Sequence, residues 1–130
     1  MDEGNESAYR SLEVWKLARE LVIEIHEMTL SLPRFELHEE GSQIRRSSKR
    51  VKACIVEGYG RRIYKADYLR FIVFSLASND ESRDHLETLF ETKSLTNEVI
   101  YQRLHQKVNL LGNKLNRFYK SIELNHKSIL

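Results

Sequence analysis

Ile100, Leu104, Val108, Leu111, Leu115, Phe118 and Ile122 recur at steps of three and four residues, which leaves little choice of secondary structure. Side chains at those spacings share one face of an α-helix, so the seven draw an apolar stripe along about six turns. A strand would send them alternately to opposite faces. Leu12, Trp15, Ala18, Val22, Ile25, Thr29 and Leu32 repeat the pattern near the amino terminus, and Val14, Leu21 and Met28 add a parallel line beside it. Pro33 closes that segment, because the residue before a proline avoids α geometry. Ile44, Ser48, Val51 and Ile55 make a third stripe, which runs out near Gly58-Tyr59-Gly60. Tyr68, Phe71, Ile72, Ser75, Leu76, Leu86, Leu89 and Phe90 make a fourth, interrupted by the polar Asn79 and Ser82.

Four helices follow, at about 11–32, 40–60, 65–92 and 97–122, with Ser11 and Thr96 as expected N-caps. Each is about 30–40 Å long at 1.5 Å per residue. Short connections force sequential helices to run antiparallel. The predicted fold is therefore all-α, an antiparallel up-down-up-down four-helix bundle. Residues 1–10 are expected to be a flexible lead-in, 11–124 the single domain, and 125–130 a frayed tail. Since one bundle core needs only one wide stripe per helix, part of the line Val14, Leu21 and Met28 is expected to pack against a second subunit.

Catalytic and metal chemistry find no foothold in these residues. A di-iron bundle needs two Glu-x-x-His pairs, and the chain offers one, Glu123–His126, in the tail. Glu81 and His85 lie one turn apart with no second pair facing them, and His26, His38 and His105 have no metal-ligand spacing. Cys54 lies near Arg50 and Lys52, yet a helix-packed cysteine serves more often as a small hydrophobe than as a nucleophile. Gly58-x-Gly60 follows a helix and lacks the third glycine of a dinucleotide loop. No enzyme activity and no cofactor are expected. The polar start, Met1 to Ser7, is unlike a secretory leader, no run approaches 18 apolar residues, and the lone Cys54 fits a reducing compartment; the expected location is the cytoplasm, with no membrane partner.

Charge is where the sequence turns informative about function. The net charge is only +2, but residues 41–70 hold nine Lys/Arg against two Asp/Glu, whereas residues 1–40 hold four against ten. The third stripe is taken as inward, with Ile44 as the reference direction. At one helical step per residue, Lys52 then lies at about 80°, Arg45 at about 100°, Lys49 at about 140°, Arg46 at about 200° and Arg50 at about 240°. Those five cations span the outer half of the second helix, and Arg61, Arg62 and Lys65 continue the charge past its end. Exposed helix faces usually alternate both signs, and here only Glu57 interrupts. Tyr59 and Tyr64 lie among the cations and are candidates for stacking on bases. The eight cations are the predicted nucleic-acid-binding residues, for RNA or DNA. The alternative is a protein-interaction module whose basic helix meets the acidic lines Asp80-Asp84-Glu87-Glu91 or Glu13-Glu20-Glu27 of another copy.

The run Gln43-Ile44-Arg45-Arg46-Ser47-Ser48 through Ile55-Val56-Glu57-Gly58-Tyr59-Gly60-Arg61-Arg62 resembles bacterial proteins encoded in intervening sequences of 23S ribosomal RNA genes. So do Leu12-Glu13-Val14-Trp15-Lys16-Leu17-Ala18, Leu32-Pro33 and Tyr68-Leu69-Arg70-Phe71, with Ser78 and Glu81, and the likeness spans residues 9–120. The resemblance implies a four-helix bundle, a nucleic-acid-linked role, no catalysis, and a homopentamer like the related accessory proteins of diversity-generating retroelements. The chain departs from the family pattern at Val51-Lys52-Ala53-Cys54-Ile55, where a proline and an asparagine are common, and at Asn79 and Arg83. Without that proline the second helix is expected to run straighter.

Overall fold

Pro33, whose ring fixes φ and removes an N–H donor, falls between the first two helices rather than inside one. The computed structural model describes residues 8–128. Helices α1 (Glu13–Leu30), α2 (Glu40–Gly60), α3 (Lys65–Glu91) and α4 (Glu98–Asn125) form an antiparallel up-down-up-down bundle, with no strand among the described residues. Each helix packs on two neighbours, in the ring α1–α2–α3–α4–α1, and among the described residues the backbones of diagonal helices do not come close. The inner stripes meet in the middle: Ile25, Ile44, Val51, Ile55, Ile72, Leu86, Val108 and Leu111 are all fully buried. No helix of the described residues is long and apolar enough to cross a membrane.

The α2–α3 pair is the most extensive contact, and small side chains allow it. Ser47 and Ser82 share a hydrogen bond of 2.8 Å between hydroxyls, and the Ser75 hydroxyl donates to the Val51 carbonyl at 2.6 Å. A Cβ at Gly58 would stand 3.0 Å from the Phe71 Cβ, so only glycine fits there without displacement. The polar residues that interrupt the fourth stripe are thus inside. Ser82 also donates to the Ser78 carbonyl, and Asn79 Nδ2 donates to the Val108 carbonyl at 3.0 Å.

Several local expectations need correction. Val14, Leu21 and Met28 are only 3%, 1% and 4% exposed within this one chain, so they are core residues and hold no surface for a partner. Helix α1 touches both α2 and α4, and two neighbours require a wider buried arc than one stripe covers. Ser11 does not cap α1; its hydroxyl donates to the Ala8 carbonyl at 2.7 Å within the 3-10 turn Tyr9–Ser11, and Leu12 holds the cap position. Residues 1–7 of the expected lead-in lie outside the described residues, but Tyr9 packs edge-on against Trp15, with ring centroids 5.5 Å apart. At α4 the cap is Asn97 rather than Thr96: its Oδ1 accepts from the Ile100 N–H at 3.0 Å. Residues 129–130 of the expected frayed tail lie outside the described residues; within it α4 continues to Asn125, His126 Nε2 donates to the Arg62 carbonyl at 2.7 Å, and Ser128 Oγ accepts from the Lys65 N–H at 3.0 Å.

The α1–α2 connection is a second 3-10 turn, Arg34–Leu37, built around a buried carboxylate. Glu36 is 3% exposed; it accepts from the Ser94 hydroxyl at 2.5 Å and the Gly41 N–H at 3.4 Å. That ties the α1–α2 connection to the one between α3 and α4. A Cβ at Gly41 would overlap the Glu36 carbonyl oxygen, so backbone must move to admit any side chain. Gly41→Ala is expected to destabilise by about 1–3 kcal/mol, the usual range for forced overpacking. An unchanged urea midpoint would show that the turn yields freely.

Helix α1 is clamped to α4 by charge. Glu24 accepts from Arg103 at 2.6 Å and pairs with Lys107, while Lys114 lies 3.3 Å from Glu13. Partial burial alone would raise the Glu24 pKa, but the Lys107 and Arg103 hydrogen bonds outweigh it and hold the carboxyl below its usual value. A lowered folded pKa gives stability that is fully present above the unfolded carboxylate range, near pH ~4.3, and is lost as pH falls through the folded value. Glu24→Gln should therefore flatten the acid limb of the stability-versus-pH curve and leave its slope near neutrality unchanged. An acid limb identical to wild type would contradict the clamp.

Candidate nucleic-acid interface

Helix α2 turns Ile44, Ser48, Val51 and Ile55 inward and fully buries them, which fixes the direction of every other side chain on it. Arg46, Lys49 and Arg50 are exposed on the outer face, within little more than one turn of each other. None of the three pairs with a carboxylate among the described residues. The one acidic residue on that face, Glu57, is held by Arg61, whose Nε donates to Oε2 at 3.0 Å. An outward strip with three uncompensated cations and a neutralised carboxylate has the charge and exposure to attract an anionic group such as phosphate.

The other predicted cations are placed differently. Lys52 is half-buried on the flank of α2. Arg45 curls back onto the α1–α2 connection, where Nη2 donates to the Leu37 carbonyl at 3.1 Å and Nη1 is buried without a partner. It is structural rather than outward-facing. Arg61 divides its charge between Glu57 and Asp67, the latter at 3.6 Å, and lies 4.9 Å over the Phe71 ring. Arg62 donates to the Tyr59 carbonyl and covers the Tyr59 ring at 4.0 Å. Lys65 Nζ donates to the Glu123 carbonyl at 2.5 Å. The eight predicted residues thus divide into a strip with free charge (Arg46, Lys49, Arg50), a flanking Lys52, and four cations already engaged within the chain.

Tyr59 is also removed from the stacking set, since it is half-buried against the core, edge-on to Tyr68 at 6.2 Å and capped by Arg62. Tyr64 remains, 50% exposed at the α2–α3 connection. Arg70, which the sequence reading passed over, is exposed and lies 3.6 Å from Asp67, beside Arg61. A helical wheel of α2 alone cannot show it, because it belongs to α3. Cys54 lies 6% exposed on the side of α2, and burial pushes its thiol above the usual value, with a lowering contribution from Arg50 too small to reverse that. No group of three or more His, Cys, Asp or Glu among the described residues is arranged to hold a metal ion. His85 instead bridges Glu40, at 2.6 Å, and Glu81, at 3.2 Å, across the α2–α3 seam.

No curated protein matches the chain. The fold is similar to a crystal structure from Bacteroides thetaiotaomicron, a protein of unknown function from the S23 ribosomal protein family. The two are 22% identical over 82% of this chain and 95% of that one, with a TM-score of 0.71, a likeness that carries the fold alone. Residues 10–117 match the family described as 23S rRNA-intervening sequence protein, and the chain belongs to that family.

Proposed function

We propose that the protein is a non-catalytic, self-associating nucleic-acid-binding or scaffold protein that holds phosphates on the outer face of α2. The observation that carries the reading is the strip Arg46, Lys49 and Arg50, which has no carboxylate partner among the described residues while Glu57 beside it is held by Arg61. Lys52 flanks it on α2, and its contacts would be to backbone phosphate rather than to base edges, so sequence preference should be weak. Self-association, as a pentamer, and kinship with the accessory proteins of diversity-generating retroelements rest on family resemblance.

The competing reading gives the basic strip to an acidic face of another copy. Four of the seven carboxylates in the acidic lines are paired within the chain, which weakens it, while Glu27, Asp84 and Glu91 are exposed without an ion-pair partner among the described residues. Glu13 pairs with Lys114, Glu20 with Lys107 at 3.8 Å, Asp80 with Arg83 at 3.0 Å and Glu87 with His105 at 2.8 Å. Purification at low ionic strength separates the two readings. Nucleic acid should copurify, be released as salt rises, and rebind when added back. Protein free of nucleic acid at low salt, and indifferent to added RNA and DNA, would remove the proposed function.

A further inference from the structure

The strip Arg46, Lys49 and Arg50 has four edges, and the charge beyond each is different. Toward the start of α2 stand Glu39, exposed, and Glu40, which is bonded to His85 at 2.6 Å. Toward the end of α2, Arg61 is shared between Glu57 and Asp67. On the α3 side the bond between Ser47 and Ser82 fixes the register, and it sets the exposed carboxylates Glu81 and Asp84 level with the strip. Phosphate is repelled or offered nothing on those three sides. The fourth edge faces α1, and there the positive charge continues.

Ser47 and Gly58, which meet α3, stand to one side of α2's inward direction, and Lys52 stands about 80° to the other, toward α1. Arg19 and Lys16 are exposed on α1, which packs on α2. Glu13 and Glu24 mark the side of α1 that faces α4, and Arg19 points outward on the opposite side. The two helices run antiparallel, so the end of α1 lies beside the start of α2. Arg19 precedes Leu30 by 11 residues and Lys52 follows Glu40 by 12, which sets both about 17–18 Å from those ends at 1.5 Å per residue. Lys16 follows about one turn further along. None of the three has a carboxylate partner among the described residues. Glu20, the carboxylate beside Arg19, is turned toward α4, where Lys107 lies 3.8 Å away.

We infer that the phosphate path leaves α2 across α1, through Lys52 to Arg19 and Lys16, and that it takes a single strand in preference to a duplex. The inference rests on the proposed binding of phosphate by α2, and adds the direction of the path and the form of the nucleic acid. In a ring of four helices the outer faces of neighbours point in different directions, so a backbone that touches both must turn over the edge between them. Duplex DNA, with a persistence length of about 150 bp, stays straight over a bundle only ~40 Å long and follows one face. A single strand bends over the edge and reaches the cations of both helices.

Binding of labelled single-stranded RNA and duplex DNA of mixed sequence, measured from about 50 to 200 mM salt, tests the inference. The single strand should give a slope of log affinity against log salt near −4.2, six contacts at about −0.7 each, of which the α2 strip supplies half. Lys16→Ala with Arg19→Ala should reduce the single-strand slope by about 1.4 and leave the duplex slope within about 0.3. Both side chains are exposed and bond to nothing, so the urea midpoint should not move. Arg117→Ala with Lys120→Ala removes the same charge from exposed positions on α4, diagonal to α2, and should leave both slopes unchanged. A single-strand slope that the α1 variant leaves intact, while Lys49→Ala lowers it, overturns the path and spares the α2 strip. An equal loss in the α4 variant would mean that net charge is felt and no path exists. An equal loss on duplex would overturn the preference for a single strand. Absence of binding by wild type to either oligonucleotide removes the α2 site and the path together.

Discussion

Leu111→Ala is expected to lower folding stability by about 2–5 kcal/mol, the range for removing a fully buried leucine and leaving a cavity. Leu111 has no exposed surface and lies in the middle of α4, where the inward stripes of all four helices converge. Rigid helices on either side limit how far the site can collapse, so the upper half of that range is favoured. Urea titration should show a lower midpoint with an unchanged slope, because the surface exposed on unfolding is nearly the same. A loss below about half a kilocalorie would mean that residue 111 does not face the core.

The second large effect concerns binding. Replacing Arg46, Lys49 and Arg50 together by alanine removes three charge-assisted phosphate contacts, each contributing about 1 kcal/mol or more. Affinity for RNA and DNA should fall roughly 100-fold or more at low salt, across sequences. Stability should stay within about 0.5 kcal/mol, since all three side chains are exposed and bond to nothing that holds the fold. The oligomeric state should be unchanged in sedimentation. If the strip instead serves assembly, the same variant dissociates and loses no nucleic-acid affinity, because there was none.

Much of the fold is legible in the sequence because periodicity is a direct record of which side of a helix is buried. The stripe from Ile100 to Ile122 and the inward set Ile44, Ser48, Val51 and Ile55 need only the helical repeat to be read, and every one of the latter is buried. What periodicity cannot supply is how far neighbours wrap around a helix. Val14, Leu21 and Met28 therefore look like a surplus line in the sequence and are part of the α1 core in the fold. Cap chemistry points one residue too early at both ends, to Ser11 for Leu12 and to Thr96 for Asn97, since local chemistry alone does not say where a helix first closes.

The candidate site is legible as a charge pattern and not as a surface. Helical phase puts Arg45 on the flank of α2, but the 3-10 turn at Arg34–Leu37 brings the Leu37 carbonyl to its guanidinium. Arg61, Arg62 and Lys65 look like free charge in one dimension, and contacts with Glu57, Asp67, Tyr59 and Glu123 claim them in three. Asn79 stands out only as a break in an apolar line. Its meaning depends on Val108, far along the chain on α4, and no local pattern connects the two.

The most direct test is the salt dependence of affinity for wild-type protein and for Lys49→Ala, measured on labelled duplex and single-stranded oligonucleotides. Neutralising one phosphate releases condensed counterions, so each contact adds about −0.9 to the slope of log affinity against log salt on duplex DNA and about −0.7 on single strands. Arg46, Lys49 and Arg50 should together give a slope of about −2.7 on duplex per engaged subunit, falling in magnitude by about 0.9 in Lys49→Ala. A slope near zero, a slope that Lys49→Ala leaves untouched, or no binding at about 50 mM salt would contradict the assignment of α2's outer face to nucleic acid.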